Sequence, residues 1–322
     1  MEGAGLMKIL VTPTSLCKNK EIIADLSEKA EIILNTTGKP LTEEQLFPLV
    51  ADIDGYLAGL DDITGRVLMA APKLRAVSRY GVGYERVDIK TAKELGIKVT
   101  NTPGANTQSV ADLAMGLILS AARQIPYLNG RLKEGNWDRA NGREIYGKTI
   151  GIIGLGAIGK SLAKRAMGFS MKVLAYDPYI DRKWAEENGV SVCEIEDLVK
   201  GSDVISLHVP LTEGTRNIIS RERIGMMRDG VIIVNTSRGG LIDLDAAADY
   251  IESGKIYGMG FDAFEKEPPE KHRIYEFPNV IMTPHAGAHT AEAVAGMTEM
   301  SISNLFSLLE NDGRAEKYVV NK

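Results

Sequence analysis

The chain has 322 residues, which at about 150 residues per domain predicts two domains and a sizeable buried core. Hydrophobic residues make up 44% and charged residues 25% of the chain, a composition that excludes a mainly disordered protein. With 38 Lys and Arg against 43 Asp and Glu, the net charge is -5, and no basic tract is present. We therefore expect no nucleic-acid partner, because phosphate binding needs clustered Lys and Arg.

The chain shows no sign of export or membrane insertion. Met1–Leu6 lacks the basic start and long apolar stretch of a signal peptide. Val110–Ala122 is the most apolar segment, and it is too short to cross a bilayer. Cys17 and Cys193 lie far apart and match no disulfide scaffold or metal-ligand spacing. We expect a cytoplasmic protein with reduced thiols, no membrane partner and no metal.

Short apolar runs alternate with helix-like stretches along the chain, a pattern typical of an α/β protein with parallel sheets covered on both faces. Runs such as Val231–Val234 lack polar alternation, which suits a strand buried on both sides. The predicted strands are Ile9–Val11, Ile32–Leu34, Gly55–Ala58, Arg75–Ser78, Lys98–Thr100, Thr149–Ile153, Val173–Tyr176, Val204–Val209, Val231–Asn235, Gly258–Phe261 and Val280–Thr283.

Two breaks divide this pattern. Asn101–Gly104 reads as a turn followed by a long helix, and Thr283–Gly287 precedes a terminal helix from about Thr290 to Leu309. Helices are also predicted over Val87–Leu95 and Asp243–Ser253, each followed by a glycine that can cap it. The breaks predict one domain made of residues 1–102 and 288–322, with a second domain, residues 103–287, inserted between its parts.

A glycine-rich turn, Gly154–Gly159, directly follows the predicted strand Thr149–Ile153 and opens a helix-like run, Ile158–Met167. Gly154 allows a tight turn, Gly156 a close approach to a pyrophosphate, and Gly159 close packing of helix on strand. The helix N-terminus then offers unpaired N–H groups to phosphate. The alternative is a turn that only joins strand to helix, but the strand before it and the helix after it favour dinucleotide binding.

Asp177 supports the same interpretation, since it ends the next strand and lies eighteen residues after Gly159. A carboxylate at this spacing can bond the adenosine ribose hydroxyls, and it would repel a 2′-phosphate. The sequence therefore favours NAD over NADP. The alternative reading of Asp177 is a turn residue before Pro178.

Four polar residues follow apolar strands, where ligands gather in open α/β sheets: Arg238, Asp262, Glu267 and His285. A guanidinium can clamp a carboxylate, a histidine can exchange a proton near neutrality, and an adjacent acid can raise its basicity. Together they supply what hydride transfer to a 2-keto acid requires. Taken singly, each also fits a salt bridge, a solvated loop acid or a local hydrogen bond.

These positions and the glycine turn resemble the NAD-dependent D-2-hydroxyacid dehydrogenase family over nearly the whole chain. The matching stretches are Gly81–Gly83, Asn101–Gly104, Gly154–Gly159, His208–Thr212, Asn235–Gly240, Asp262–Pro268 and Pro284–Gly287. The resemblance implies two Rossmann-like, doubly wound parallel-sheet domains separated by a cleft, with the cofactor domain inserted into the substrate domain. It also implies a homodimer formed by the cofactor domains.

The resemblance further implies residue roles. Arg238 would bind the substrate carboxylate and keto oxygen, His285 would be the acid/base, Glu267 would bond it, and Asp262 would position the nicotinamide carboxamide. Arg79 and the backbone of Gly81, Val82 and Gly83 would bind substrate along with Arg238 and His285. The cofactor would contact Gly154, Gly156, Ala157, Ile158, Gly159, Asp177, Pro178, His208, Pro210, Thr215, Thr236, Ser237, Arg238, Asp262, His285 and Gly287.

Within the family, the stretches Leu74–Asp88, Val99–Pro126 and Ile150–Gly159 most resemble members acting on 3-phosphoglycerate and 3-phosphohydroxypyruvate. Arg79 and Arg139 could supply cations for a phosphate, but Ala58-Gly59-Leu60 lies where several such members carry a basic or hydroxyl residue. The alternatives are a glyoxylate or hydroxypyruvate reductase and, from another class, an NAD(H)-binding corepressor-like protein. Because the chain ends after one terminal helix, we expect no regulatory domain and no feedback inhibition by serine.

Overall fold

The computed structural model describes residues 6–322. Of the N-terminal segment Met1–Leu6, which the sequence predicts not to be a signal peptide, only Leu6 is among the described residues. Within that range the strands are β1 Lys8–Val11, β2 Glu31–Leu34, β3 Gly55–Ala58, β4 Ala76–Arg79, β5 Lys98–Thr100, β6 Thr149–Ile153, β7 Lys172–Tyr176, β8 Ser191–Val192, β9 Val204–Leu207, β10 Val231–Asn235, β11 Ile256–Phe261 and β12 Val280–Met282. The helices are α1 Thr14–Cys17, α2 Lys20–Ser27, α3 Glu43–Val50, α4 Gly65–Met69, α5 Ile89–Glu94, α6 Thr107–Arg123, α7 Ile125–Lys133, α8 Ala157–Gly168, α9 Arg182–Glu187, α10 Ile195–Gly201, α11 Arg221–Met226, α12 Leu244–Glu252 and α13 Ala291–Glu310. Short 3-10 turns occupy Gly239–Leu241, Arg273–Glu276 and Glu316–Tyr318.

Helix boundaries follow local hydrogen bonding. Asp88, Asp243 and Thr290 each accept a hydrogen bond from a backbone N–H of the helix that follows, which satisfies a group that the helix itself leaves unpaired. Gly96 and Gly254, predicted as helix caps, have φ of 72° and 80°, the left-handed conformation in which a side chain would be strained. The sequence signals for these helices are therefore confirmed.

The chain divides into two compact units. The first comprises the described residues up to Asn106 together with Thr290–Lys322, and the second comprises Thr107–His289. Both units are built on parallel sheets, which confirms the predicted α/β class of two doubly wound domains.

The first unit has a five-stranded sheet in the order β2-β1-β3-β4-β5, with every pair parallel. One face packs against α13 through Leu305, Phe306 and Leu309, and the opposite face buries Tyr56 and Val77 in a second cluster. The strand order reverses between β1 and β3. Because all five strands are parallel, the loops after β1, β3, β4 and β5 share the carboxyl edge of the sheet.

The second unit has a seven-stranded sheet in the order β12-β11-β10-β9-β6-β7-β8. The strand order reverses between β6 and β9, and at such a switch point the carboxyl ends of the strands open a crevice for ligands. β10 is buried along its whole length, as its unbroken apolar sequence predicts. The glycine turn follows β6, and Arg238, Asp262 and His285 follow β10, β11 and β12 at the same edge.

The observed strand bounds lie within two residues of the predicted ones, and one strand was not predicted. The strand predicted to run to Val209 ends at Leu207, because the chain turns away where the His208 carbonyl passes against Gly154. The edge strand β8 was not predicted, since its two residues, one exposed and one half-buried, leave no hydrophobic pattern to detect.

Candidate active site

Among the predicted site residues, His285 and Glu267 are joined by a side-chain hydrogen bond. The Nδ1 atom of His285 lies 2.8 Å from Oε1 and 2.9 Å from Oε2 of Glu267, and Phe264 N also donates to Oε1, at 3.2 Å. The His285 backbone is left-handed, with φ of 51°, and its N–H donates to Thr283 O. With Nδ1–H facing a carboxylate, proton exchange with a ligand is left to Nε2.

The hydrogen bond with Glu267 raises the pKa of His285 above its usual value, and it outweighs burial and the nearby charge of Arg238, which act in the opposite direction. The imidazole is therefore more strongly basic than a free histidine. Its side chain is 38% exposed, so it can reach a ligand. The arrangement is that of a general acid/base held by a carboxylate.

Arg238 lies at the end of a turn that is stabilised by hydrogen bonds of Asn235 and Ser237. Asn235 accepts from Ser237 N at 3.0 Å and donates to Arg238 O at 2.7 Å, while Ser237 Oγ donates to Val209 O at 2.5 Å. One guanidinium nitrogen donates to Ser237 O at 2.7 Å. These bonds fix the base of the Arg238 side chain, which is only partly buried.

The Arg238 and Glu267 loops are joined by a glycine that the sequence reading did not single out. A Cβ on Gly239 would lie 2.0 Å from Glu265 N and 2.2 Å from Phe264 C, so only glycine permits this approach of backbone to backbone. Because Phe264 N is bonded to Glu267, the contact brings the arginine and the acid/base pair into one cluster. Its signal in the sequence was the first glycine of the Ser237-Arg238-Gly239-Gly240 run.

Asp262 is 1% exposed, and its carboxylate is engaged by the His285 loop. Oδ1 accepts from Thr283 Oγ1 at 2.6 Å and from Ala286 N at 2.7 Å, and Oδ2 accepts from Gly287 N at 2.9 Å. The predicted contact of Asp262 with a nicotinamide carboxamide stays a prediction. In the structure, Asp262 stabilises the loop that carries His285 through these three hydrogen bonds.

The glycine turn has the geometry of a dinucleotide cradle. Gly154 has φ of 99° and a Cβ there would lie 2.6 Å from His208 O, while a Cβ on Gly159 would lie 2.1 Å from Gly154 O. Gly156, by contrast, faces open space, and as N-cap of α8 it leaves that helix without a side-chain cap. Unpaired N–H groups beside an open approach are what a pyrophosphate requires, so these residues fit NAD.

Asp177 lies directly against this turn. Its Oδ2 accepts from Leu155 N at 2.8 Å, and its Oδ1 accepts from Tyr179 N at 2.8 Å. Each oxygen retains capacity for a further hydrogen bond, which is what binding of ribose hydroxyls needs. Pro178, Ala157 and Gly156 are exposed beside it, and Ile158 is half-buried.

Among the remaining predicted cofactor residues, Thr236 has a hydroxyl without a hydrogen-bond partner in residues 6–322, whereas Thr215 and His208 are hydrogen-bonded to their neighbours. The Thr236 hydroxyl is buried and has no hydrogen-bond partner among the described residues, which suits a polar group of a bound ligand. Thr215 accepts from Thr212 N and donates to Pro210 O, both at 2.7 Å, so its hydroxyl closes a turn. His208 bonds Ser206 at 2.8 Å, and burial lowers the pKa of His208 to about 4, which keeps it neutral at physiological pH.

In the first unit, Arg79 is 3% exposed and its guanidinium donates to backbone carbonyls: Nε to Gly83 O at 3.1 Å, and NH1 to Ala58 O at 2.6 Å and to Gly59 O. Gly81 has φ of 136°, in the region that favours glycine. Val82 is exposed at the tip of this turn, and Arg139, in the second unit, is exposed too.

No group of three or more His, Cys, Asp or Glu side chains suited to a metal ion occurs among residues 6–322. Over the same residues, no helix combines the length and apolar character needed to cross a membrane.

Comparisons with known proteins agree with this geometry. The model of the D-isomer specific 2-hydroxyacid dehydrogenase family, NAD-binding domain, matches residues 115–287. Hydroxypyruvate reductase of Thermotoga maritima is 45% identical over 281 residues, which cover 85% of this chain and 90% of that protein. D-3-phosphoglycerate dehydrogenase of Methanocaldococcus jannaschii is 45% identical over 292 residues, 89% of this chain but only 55% of that longer protein.

Among solved structures, D-lactate dehydrogenase from Aquifex aeolicus in complex with NAD and lactic acid superposes with a TM-score of 0.85 at 27% identity, covering 98% of this chain and 99% of that one. The family match, the relatives and the cradle at the β6 turn agree on one conclusion. The chain belongs to the D-isomer specific 2-hydroxyacid dehydrogenase family and is an NAD-binding oxidoreductase.

Proposed function

We propose that the protein reduces a short, unphosphorylated 2-keto acid, such as hydroxypyruvate or glyoxylate, to the D-2-hydroxy acid. The observation that carries the proposal is the His285–Glu267 pair, with its raised pKa, beside Arg238 in the NAD-binding unit. When bound, NADH supplies the hydride from its nicotinamide ring. Relatives named hydroxypyruvate reductase and glyoxylate reductase, 45% and 39% identical, support the substrate class.

Each residue has a part in this reaction. Arg238 binds the substrate carboxylate, because a guanidinium matches a carboxylate with two parallel hydrogen bonds. His285 donates its proton to the keto oxygen as the hydroxyl forms, and Glu267 keeps the imidazole protonated until then. Asp262 holds the His285 loop. In the first unit, the amides of Val82 and Gly83 offer two donors that can bind a carboxylate.

Further roles follow from the same interpretation. Residues up to Asn106 with 290–322 would be the substrate domain, and residues 107–289 the cofactor domain. The turn Gly154–Gly159 would hold the pyrophosphate, Asp177 the ribose, and Thr236 a polar group of the cofactor. The carboxylate of Asp177 favours NADH over NADPH.

The choice of an unphosphorylated substrate rests on the first unit. Arg79, the cation that the sequence offered for a phosphate, is buried and donates to three backbone carbonyls. Next to the carbonyls of Gly59 and Gly83, which Arg79 bonds, the exposed side chains are those of Leu60 and Val82. They are 42% and 38% exposed, and both are apolar. A phosphate needs charged donors, so this surface favours a small uncharged substituent.

Reduction of 3-phosphohydroxypyruvate is the second candidate. It is supported by the 45% identity to D-3-phosphoglycerate dehydrogenase of M. jannaschii and by the exposed Arg139, which could contribute a cation.

The discriminating measurement is NADH oxidation with hydroxypyruvate, glyoxylate and 3-phosphohydroxypyruvate. We expect kcat/KM for hydroxypyruvate to exceed that for its phosphorylated form by about tenfold or more, since tenfold corresponds to about 1.4 kcal/mol. The opposite ratio would favour the phosphorylated substrate. NADH binding without turnover of any 2-keto acid would favour a corepressor-like role.

We also propose that the protein is a homodimer formed by its NAD-binding unit. Helix α7 has no buried residue, and five large side chains on it and on the following segment are exposed. We call these the apolar arm: Ile125, Tyr127, Leu132, Trp137 and Tyr146, which are 52%, 36%, 57%, 79% and 73% exposed. Large apolar side chains left exposed on neighbouring stretches of the chain are typical of a protein–protein interface, and a second copy is the expected partner.

A further inference from the structure

The turn Gly81–Gly83, which we call the amide cradle, has every carbonyl bonded within the first unit. Thr102 N donates to Gly81 O at 3.0 Å. Asn101 Nδ2 donates to Val82 O at 2.7 Å. Arg79 Nε donates to Gly83 O at 3.1 Å. Three consecutive carbonyls are thus held by three different donors.

Holding a carbonyl also directs the neighbouring amide. A trans peptide is planar, and its C=O and N–H point in opposite directions. When Thr102 holds the carbonyl of Gly81, the N–H of Val82 is directed away from Thr102. When Asn101 holds the carbonyl of Val82, the N–H of Gly83 is directed away from Asn101.

The amides so directed have no acceptor in the protein. Among residues 6–322, neither Val82 N nor Gly83 N donates to a protein atom, and both belong to a turn that is at least partly exposed. Gly81 N is different, because it donates to Thr102 Oγ1 at 3.1 Å and to Arg79 O at 3.1 Å. Two adjacent unpaired N–H groups form a concavity that attracts an anion, provided that carbonyl oxygens are kept out of it.

We propose that Arg79, Asn101 and Thr102 are positioning residues for the substrate carboxylate: they hold the three carbonyls of the amide cradle inward so that its amides meet the anion. The inference rests on the proposed function, and it changes the expected role of Arg79. Its guanidinium acts through the backbone of the cradle and not as a ligand of substrate phosphate. Asn101 and Thr102 acquire roles that motif matching alone did not assign.

The burial of the three residues supports this interpretation. Arg79 is 3%, Asn101 8% and Thr102 0% exposed, so none presents its side chain broadly to solvent. A buried guanidinium is costly unless it is hydrogen-bonded, and here backbone carbonyls satisfy it. Asn101 is fixed in turn by Asn304, whose Nδ2 donates to Asn101 O at 3.1 Å.

The chain offers a matched pair of substitutions for the test. Thr102→Val keeps the shape of the side chain and the backbone bond from Thr102 N to Gly81 O. It removes the hydroxyl that accepts from Gly81 N, which is the second of the two bonds by which Thr102 fixes Gly81. Thr100→Val makes the same change two residues earlier, at a side chain that is also 0% exposed but whose hydroxyl has no hydrogen-bond partner among the described residues. Thr102→Ser keeps the hydroxyl, and Asn101→Asp replaces the donor to Val82 O with an acceptor.

We expect Thr102→Val and Asn101→Asp to raise KM for hydroxypyruvate about fivefold to tenfold, the effect of one lost hydrogen bond, with a smaller change in kcat. The dissociation constant of oxalate from the enzyme–NADH complex, measured by fluorescence titration, should rise by the same factor. The dissociation constant of NADH should not change. Thr100→Val and Thr102→Ser should behave as wild type.

Equal oxalate affinity in Thr102→Val and Thr100→Val, with Asn101→Asp also unchanged, would overturn the proposal while leaving the proposed function intact. A fall in kcat and NADH affinity with no change in KM or in oxalate binding would also overturn it, since that pattern indicates a general structural role. A wild-type protein that binds NADH but neither binds oxalate nor reduces a keto acid would overturn both.

Discussion

At the scale of single residues, the acid/base chemistry depends on which groups share a hydrogen bond. His285 and His208 are both imidazoles of the second unit, yet their pKa values are displaced in opposite directions. A carboxylate bonded to Nδ1 raises the pKa of His285, whereas burial without an acidic partner lowers the pKa of His208 to about 4. Of these two histidines, His285 is therefore the one that can hold a proton near neutrality and give it to a substrate.

Glu267→Gln tests this at the same scale. The amide cannot stabilise the imidazolium as a carboxylate does, so the pKa of His285 should fall. Reduction needs protonated His285, and its rate decreases as pH rises through that pKa. The descending limb of the pH profile of kcat/KM for reduction should therefore move to lower pH.

The matched control is His208→Gln, which removes an imidazole that is already neutral across this pH range. Its descending limb should coincide with that of the wild type, even if the affinity for NADH falls. A limb that moves in His208→Gln and stays in place in Glu267→Gln would contradict the assigned roles.

At the scale of loops and strands, close backbone approaches bring the cluster together. The turn after β10 packs on the loop after β11 at Gly239, and the turn after β6 packs on the chain after β9 at Gly154. In both places a Cβ would meet backbone atoms, which cannot move aside as a flexible side chain can. The residues at these contacts are therefore restricted to glycine.

Gly239→Ala should separate the loops that carry Arg238 and Glu267. We expect a loss of stability of about 1–3 kcal/mol, the usual cost of overpacking, together with a lower kcat. Thermal unfolding and steady-state kinetics measure the two effects. Gly168→Ala is the control, because a Cβ at the end of α8 would meet no atom within 4 Å, and alanine favours a helix. Equal unfolding temperatures for the two variants would contradict the argument from close packing.

At the scale of the whole molecule, the apolar arm is a group of large side chains that the fold of a single chain leaves exposed. Leu132→Asp places a charge in the proposed interface, where it would be desolvated without a partner, and should shift the protein from dimer to monomer. Sedimentation velocity measures the change. Leu95→Asp is the control, since Leu95 is 48% exposed in the first unit, outside the apolar arm. A monomeric wild type, or equal masses for the two variants, would contradict the proposal.

Much of the fold could be predicted from local signals. Unbroken apolar runs predicted the central strands, and glycines at φ of 72° and 80° ended two helices as expected. The glycine turn and the acid after β7 predicted NAD binding, because the spacing of these residues is imposed by the cofactor itself. The two-residue strand β8 could not be found this way, since its pairing depends on β7 and not on its own residues.

The amino-acid sequence by itself determined the α/β class, the dinucleotide turn and the membership of an oxidoreductase family, because each is encoded by residues close together in the chain or by a motif of fixed spacing. Only the tertiary structure decided what Arg79, Asp262 and Gly239 do. Their roles depend on atoms contributed by distant segments: the carbonyls of Ala58 and Gly59 around a buried guanidinium, the amides of Ala286 and Gly287 on a carboxylate, and the backbone at Phe264 against a glycine. A side chain that looks like a ligand in the sequence becomes a support when folding surrounds it with backbone groups, since buried polar groups must be satisfied wherever they lie.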